Sequence, residues 1–211
     1  MTKVEWMRML SLTALLVTGC HPDTNAERVA AHNITGGWSA TPAPIATVVR
    51  FDGPAAAAAI TAVRDATATM NNVTISAAHS FRIMAGSGPV ATFVAGEGTS
   101  PNATYAGCFA ALVQDGRATV VRTIGSGSWE AETCGGISAV GILSATDPVL
   151  IGAIYEAFSP NATVVEPIVL RWDRTARTFA VDATLSTRVS TAGVTTVAAM
   201  RRLVQQSRPG S

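Results

Sequence analysis

Lysine is almost missing from this chain: of 15 basic residues among 211, only Lys3 is a lysine and the rest are arginines. A Schiff base, a P-loop contact to the β- and γ-phosphates, a Ser–Lys dyad and a kinase-type Lys–Glu pair all need an ammonium that the chain beyond Lys3 does not have. Charge in general is sparse, at 14% of residues against 48% hydrophobic, with a formal net charge of +1. Nucleic-acid surfaces need clustered cations to displace counterions from phosphates, so no nucleic-acid partner is expected. Histidine is scarcer still: His21, His32 and His79 are the only three. Zinc takes three or four His, Cys or carboxylate ligands in close spacing. No such cluster is present, and neither a metal nor another cofactor is expected. The Gly-x-Ser-x-Gly elbow of serine hydrolases is also missing, because Gly86-Ser87-Gly88 and Gly125-Ser126-Gly127 are each one residue too short.

What is present begins at the N-terminus. Basic Lys3 and Arg8 precede an apolar stretch, Met9–Val17, which is followed by Val17-Thr18-Gly19-Cys20. The stretch has about half of the roughly 20 residues that a permanent membrane-spanning helix needs, so it reads as the cleaved core of a secretory signal. An aliphatic residue, two small residues and Cys20 at its end resemble the lipobox of bacterial lipoproteins. The resemblance covers residues 1–20 alone. It implies diacylglycerol on the Cys20 thiol, cleavage before it, and a mature protein held on a membrane of the cell envelope, facing the periplasm or the exterior. Setting aside Lys3, Arg8 and Glu5 from 15 basic and 14 acidic residues leaves 13 of each, a neutral mature chain.

Three cysteines make an odd count, which in an exported protein leaves one thiol over. Lipidation takes Cys20. Cys108 and Cys134 are then expected to pair in an oxidising compartment, closing a loop of about 27 residues, with two reduced buried cysteines as the alternative.

Residues 1–19 are therefore expected to be signal, 20–44 the lipidated cysteine with a flexible tether, 45–206 a single β-rich domain and 207–211 a tail. Gly36-Gly37 and Thr41-Pro42-Ala43-Pro44 carry the tether assignment. A β-type run, Ile45–Phe51, leads to Asp52-Gly53-Pro54 and an alanine run; this predicts an Ala-rich helix over 54–68 with Asp52 as a candidate cap. Short β-rich runs follow at 73–84, 89–96, 107–114, 118–124, 137–143, 149–158, 166–173 and 177–183. Ile168, Leu170 and Trp172 alternate with Val169, Arg171 and Asp173, the period of a half-buried strand. Asp115-Gly116 is a strong hairpin turn. The stretch 195–206 places Val197, Met200 and Val204 on one helical face, with Arg201 and Arg202 outside it. The predicted fold is α+β, predominantly an antiparallel β meander or hairpins, with one N-terminal and one C-terminal helix. Ser-Pro-Asn-Ala-Thr occurs at Ser100–Thr104 and again at Ser159–Thr163, which hints at a duplicated unit or at two identical turns.

Candidate chemistry is thin. His79, with a serine and an acid, could complete a spatial triad, although a structural histidine on a strand is the commoner case. Glu130 and Glu132 follow Trp129; on a strand both carboxylates would share a face, suited to acid–base work, to cation binding or simply to solvation, and Cys134 would fall on the same face unless the register breaks. Arg171, Arg174 and Arg177 could grip an anion or blunt a sheet edge. Asn33, Asn72, Asn102 and Asn161 begin Asn-x-Thr sequons that read as turns in a bacterial protein. The expectation is a lipid-anchored binding or envelope-accessory domain with an envelope or protein partner. The alternatives are an exported carboxylate hydrolase and an envelope inhibitor or immunity protein.

Overall fold

The computed structural model describes residues 47–206, so the signal, Cys20, most of the tether and the tail lie outside the described residues. Strand β1 (Val49–Pro54) is followed by helix α1 (Ala57–Ala66) and then by four strands: β2 (Asn71–Ala85), β3 (Gly88–Thr99), β4 (Gly107–Gln114) and β5 (Arg117–Arg122). A 3₁₀ turn (Gly127–Trp129) leads to a second series: β6 (Thr133–Ser144), β7 (Val149–Ser159), β8 (Ala162–Asp173) and β9 (Thr178–Val181). Helices α2 (Ala183–Thr191) and α3 (Val197–Gln206) close the described chain. The strands form two antiparallel sheets in sequence order, β1 to β5 and β6 to β9.

Strand β4 explains why helices cover the sheets. Its apolar run buries both faces: Cys108, Ala110 and Leu112 join a core between the sheets, while Phe109, Ala111 and Val113 join a separate cluster beneath α1. A strand apolar on both faces needs cover on each side. Strand β8 behaves the same way, with Ile168, Leu170 and Trp172 inward and Val169 in a third cluster with Met200 and Val204 of α3. The result is four layers, α1 on the first sheet and α2 with α3 on the second. The methyl-rich face of α1 contributes Ala59 and Val63 to the cluster beneath it.

Cys108 and Cys134 form a disulfide with Cα atoms 5.2 Å apart, tying β4 of one sheet to β6 of the other. Asp115 and Gly116 both adopt positive φ, 51° and 76°, the geometry of a type I′ hairpin. The two Ser-Pro-Asn-Ala-Thr copies occupy equivalent places: each connects the second and third strands of a four-stranded meander, β2 to β5 and β6 to β9. The first lies in a longer loop and the second in a tight turn.

Several expectations need correction. Asp52 caps no helix, because Gly53 at φ 66° carries β1 on to Pro54, which pairs with Phe81; α1 starts behind Ala56 without a side-chain cap. The run expected to reach 183 ends at Val181, where Asp182 caps α2 by accepting from the Leu185 N–H at 3.0 Å. That helix was not expected, since its Thr-rich sequence has weak helical propensity. It forms because β9 is short: beyond it, the Ser186 hydroxyl accepts from the Val169 N–H at 2.9 Å and donates to the Val169 carbonyl at 3.3 Å. The three arginines of the last hairpin do not converge. Arg174 donates to the Thr47 carbonyl, Arg177 pairs with Asp115 at 3.0 Å across the two hairpin turns, and Arg171 is exposed.

Candidate functional site

Three connections meet at one end of the second sheet: the β3–β4 loop, the β5–β6 loop and the β7–β8 turn. They enclose a cleft of about 480 Å³ whose lining includes Tyr105, Glu130, Glu132 and Phe158. Tyr105 is 68% exposed and Phe158 46%. Most other aromatic rings among the described residues are buried or packed against the core, so these two stand out.

The β5–β6 loop is built to hold Trp129. Gly125 at φ 77° and Gly127 at φ 58° turn the chain, and the Gly125 N–H donates to the Trp129 carbonyl at 2.9 Å. The Trp129 indole then donates from Nε1 to Glu166 Oε1 at 2.8 Å. Glu166 is only 9% exposed and continues the inward alternation of Ile168, Leu170 and Trp172. An indole donor is one way to make a buried carboxylate tolerable.

The expected same-face pair is therefore not formed. Glu130 sits in the turn after the 3₁₀ segment and is exposed, while Glu132 is partly buried just before β6 begins at Thr133. Strand β6 starts only at Thr133, past both glutamates, and Cys134 on it is buried at 7%. Glu132 instead faces Glu166. Burial first, and the Glu166 charge second, hold its carboxyl above the ordinary value of 4.5, and its Oε2 is buried without a hydrogen-bond partner. Sequence reasoning missed Glu166, although an acid at an inward position of an alternating strand was a usable signal. Nearby in the core, burial pushes the Tyr155 phenol up to about 12, with the Thr123 hydroxyl opposing the shift.

The raised Glu132 fixes a pH dependence. The folded state favours its protonated form, so its contribution to stability is full below 4.5 and is lost as pH rises through that value and the raised folded one. Glu132→Gln should melt at a higher temperature than the parent at pH 7, with the difference closing as the pH falls below 4. Thermal melts across that range check this; a constant difference at every pH would refute it.

His79 lies elsewhere, in β2. Its Nδ1 is 2.9 Å from Ser76 Oγ and its Nε2 is 3.2 Å from the Ser138 carbonyl of β6. No carboxylate completes a triad among its hydrogen-bond partners. A cavity of about 620 Å³ between β1, β6 and α3 carries Arg50 and Arg201, but both guanidinium groups donate to main-chain carbonyls, of Gly86 and Ile142 respectively. Among the described residues no three His, Cys, Asp or Glu side chains gather as metal ligands, and no helix is long and apolar enough to cross a membrane.

No known protein family matches this chain, and no curated protein or solved structure shows significant similarity to it.

Proposed function

We propose that this protein is a lipid-anchored binding domain of the bacterial envelope, held at Cys20, and that the cleft beside Tyr105 and Phe158 is its contact face. The observation that carries this reading is two exposed aromatic side chains flanking Glu130 and Glu132 over a loop-built cleft. Aromatic side chains are enriched in the buried centres of interfaces because they bring large rigid area at little entropic cost. The carboxylates favour a partner that donates hydrogen bonds or carries positive charge. The 13-to-13 charge balance of the whole mature chain, these two acids included, leaves local shape and these few groups to set specificity.

The test has two arms. With a photo-crosslinking amino acid at position 105 or 158, cells should yield adducts with envelope material that are absent when the same residue replaces exposed Thr175. Clickable fatty acid should label the parent and not Cys20→Ser. Equal adducts at all three positions would remove the cleft from the proposal, and equal labelling would remove the anchor. One observation favours the hydrolase alternative: Glu132 and Glu166 face each other, and burial together with the Glu166 charge raises the Glu132 carboxyl above its ordinary value, a pairing of acids that acid–base chemistry can use.

A further inference from the structure

Residues three apart on a regular strand point to opposite faces, so Ser76 and His79 should not meet. They meet because β2 is bulged between them. Ser76 pairs with Ala95 and Phe81 with Phe93, so four residues of β2 lie opposite Val94 alone. Ser80 holds the bulge, its hydroxyl accepting from the Ala95 N–H at 3.1 Å and donating to the Ser76 carbonyl at 2.7 Å.

We propose that Ser76 is a nucleophile activated by His79, in a second site that goes beyond the binding cleft and takes a small neutral or cationic acyl ester. The direction of the hydrogen bonds carries the inference. A carbonyl can only accept, so the proton of the neutral ring lies on Nε2, facing the Ser138 oxygen at 3.2 Å. Nδ1 is then the basic nitrogen, and at 2.9 Å the Ser76 hydroxyl must donate to it. Nucleophile, base and orienting acceptor stand in the order that acyl transfer uses, with a main-chain carbonyl in the third place.

Ser76 opens onto a pocket of about 270 Å³ that is also lined by Thr74, Gly96, Glu97, Gly135 and Gly136. That volume lies just below the usual range for small-molecule sites, about 300–1,000 Å³, and suits a short acyl group. Gly136, at φ 115°, adopts a conformation that other residues avoid. The Glu97 carboxylate, with Oε2 3.5 Å from the Cys134 sulfur, lines the same pocket and disfavours anionic substrates.

In the reaction, Ser76 Oγ adds to the ester carbonyl carbon while its proton passes to His79 Nδ1. The imidazolium gives that proton to the departing alkoxide, leaving an acyl-Ser76 ester. Water then attacks this ester as Nδ1 takes its proton, and collapse of the adduct returns the proton to Ser76 and releases the carboxylic acid.

A fluorophosphonate probe tests the assignment, since Ser76 would form an O–P bond with loss of fluoride. Peptide mapping should place the adduct on Ser76 of the intact protein, and prior treatment with p-nitrophenyl acetate should acetylate Ser76 and slow the labelling. His79→Gln keeps an N–H for the Ser138 carbonyl but removes the base; its labelling should slow by about 100-fold. Ser76→Ala should lose the adduct. Circular dichroism checks the fold of both variants, and mapping on the parent decides the matter if either unfolds. No adduct at Ser76 of the parent, or labelling of a folded His79→Gln variant within threefold of the parent, would overturn the proposal.

Discussion

Replacing Cys108 and Cys134 together by alanine should lower stability by about 3–4 kcal/mol, the chain-entropy value for a loop of this length. The bridge spans 26 positions in sequence and crosses from one sheet to the other, so without it the unfolded chain gains freedom that no other covalent tie restricts in the described residues. Both cysteines are nearly inaccessible, at 2% and 7%, and their neighbouring amides are already committed: Cys108 N–H to the Ile124 carbonyl and Cys134 N–H to the Ala106 carbonyl. Alanine at both sites keeps those bonds and isolates the cross-link. For a domain of this size the change corresponds to a fall in melting temperature of about 10 °C. Equilibrium denaturation of the double variant beside the oxidised parent measures it, and a loss below about 1 kcal/mol would show that the two sheets are held without the bridge.

Trp172→Ala should cost about 3–5 kcal/mol, the range for emptying a large aromatic site in a core. Trp172 is 1% exposed on β8, in register with Val149 of β7 and Phe179 of β9, and it faces the core shared by both sheets. Its indole Nε1 is buried without a hydrogen-bond partner, which makes Trp172→Phe informative. Phenylalanine keeps most of the ring area and removes the desolvated N–H, so it should lose less than half of the alanine cost. Chemical denaturation of both variants gives the comparison. A phenylalanine variant as unstable as the alanine one would mean that the indole N–H is satisfied.

Much of the β architecture was readable because it rests on local pattern. Alternation from Ile168 to Asp173 placed β8, Asp115-Gly116 placed a hairpin, and the spacing of Val197, Met200 and Val204 placed the buried face of α3. The cysteine count paired Cys108 with Cys134. The helix α2 was not readable, since Thr and Ser dominate it and its reason lies in an unpaired stretch of β8 that Ser186 completes. The setting of Glu130 and Glu132 was not readable for a related reason: Gly125 and Gly127 at positive φ turn the chain ahead of them, and the strand on which they would share a face begins only at Thr133.

Local periodicity and turn chemistry, then, determined the strands, the hairpins and the cysteines available to pair, because side-chain direction along a strand follows from the backbone alone. Only the tertiary structure decided that Glu132 faces Glu166 and Trp129 binds it, that Tyr105 and Phe158 frame one cleft, and that Ser76 meets His79. Those neighbours are set by bulges, by the register between distant strands and by the stacking of one sheet on another, and each depends on contacts that no local stretch of sequence contains.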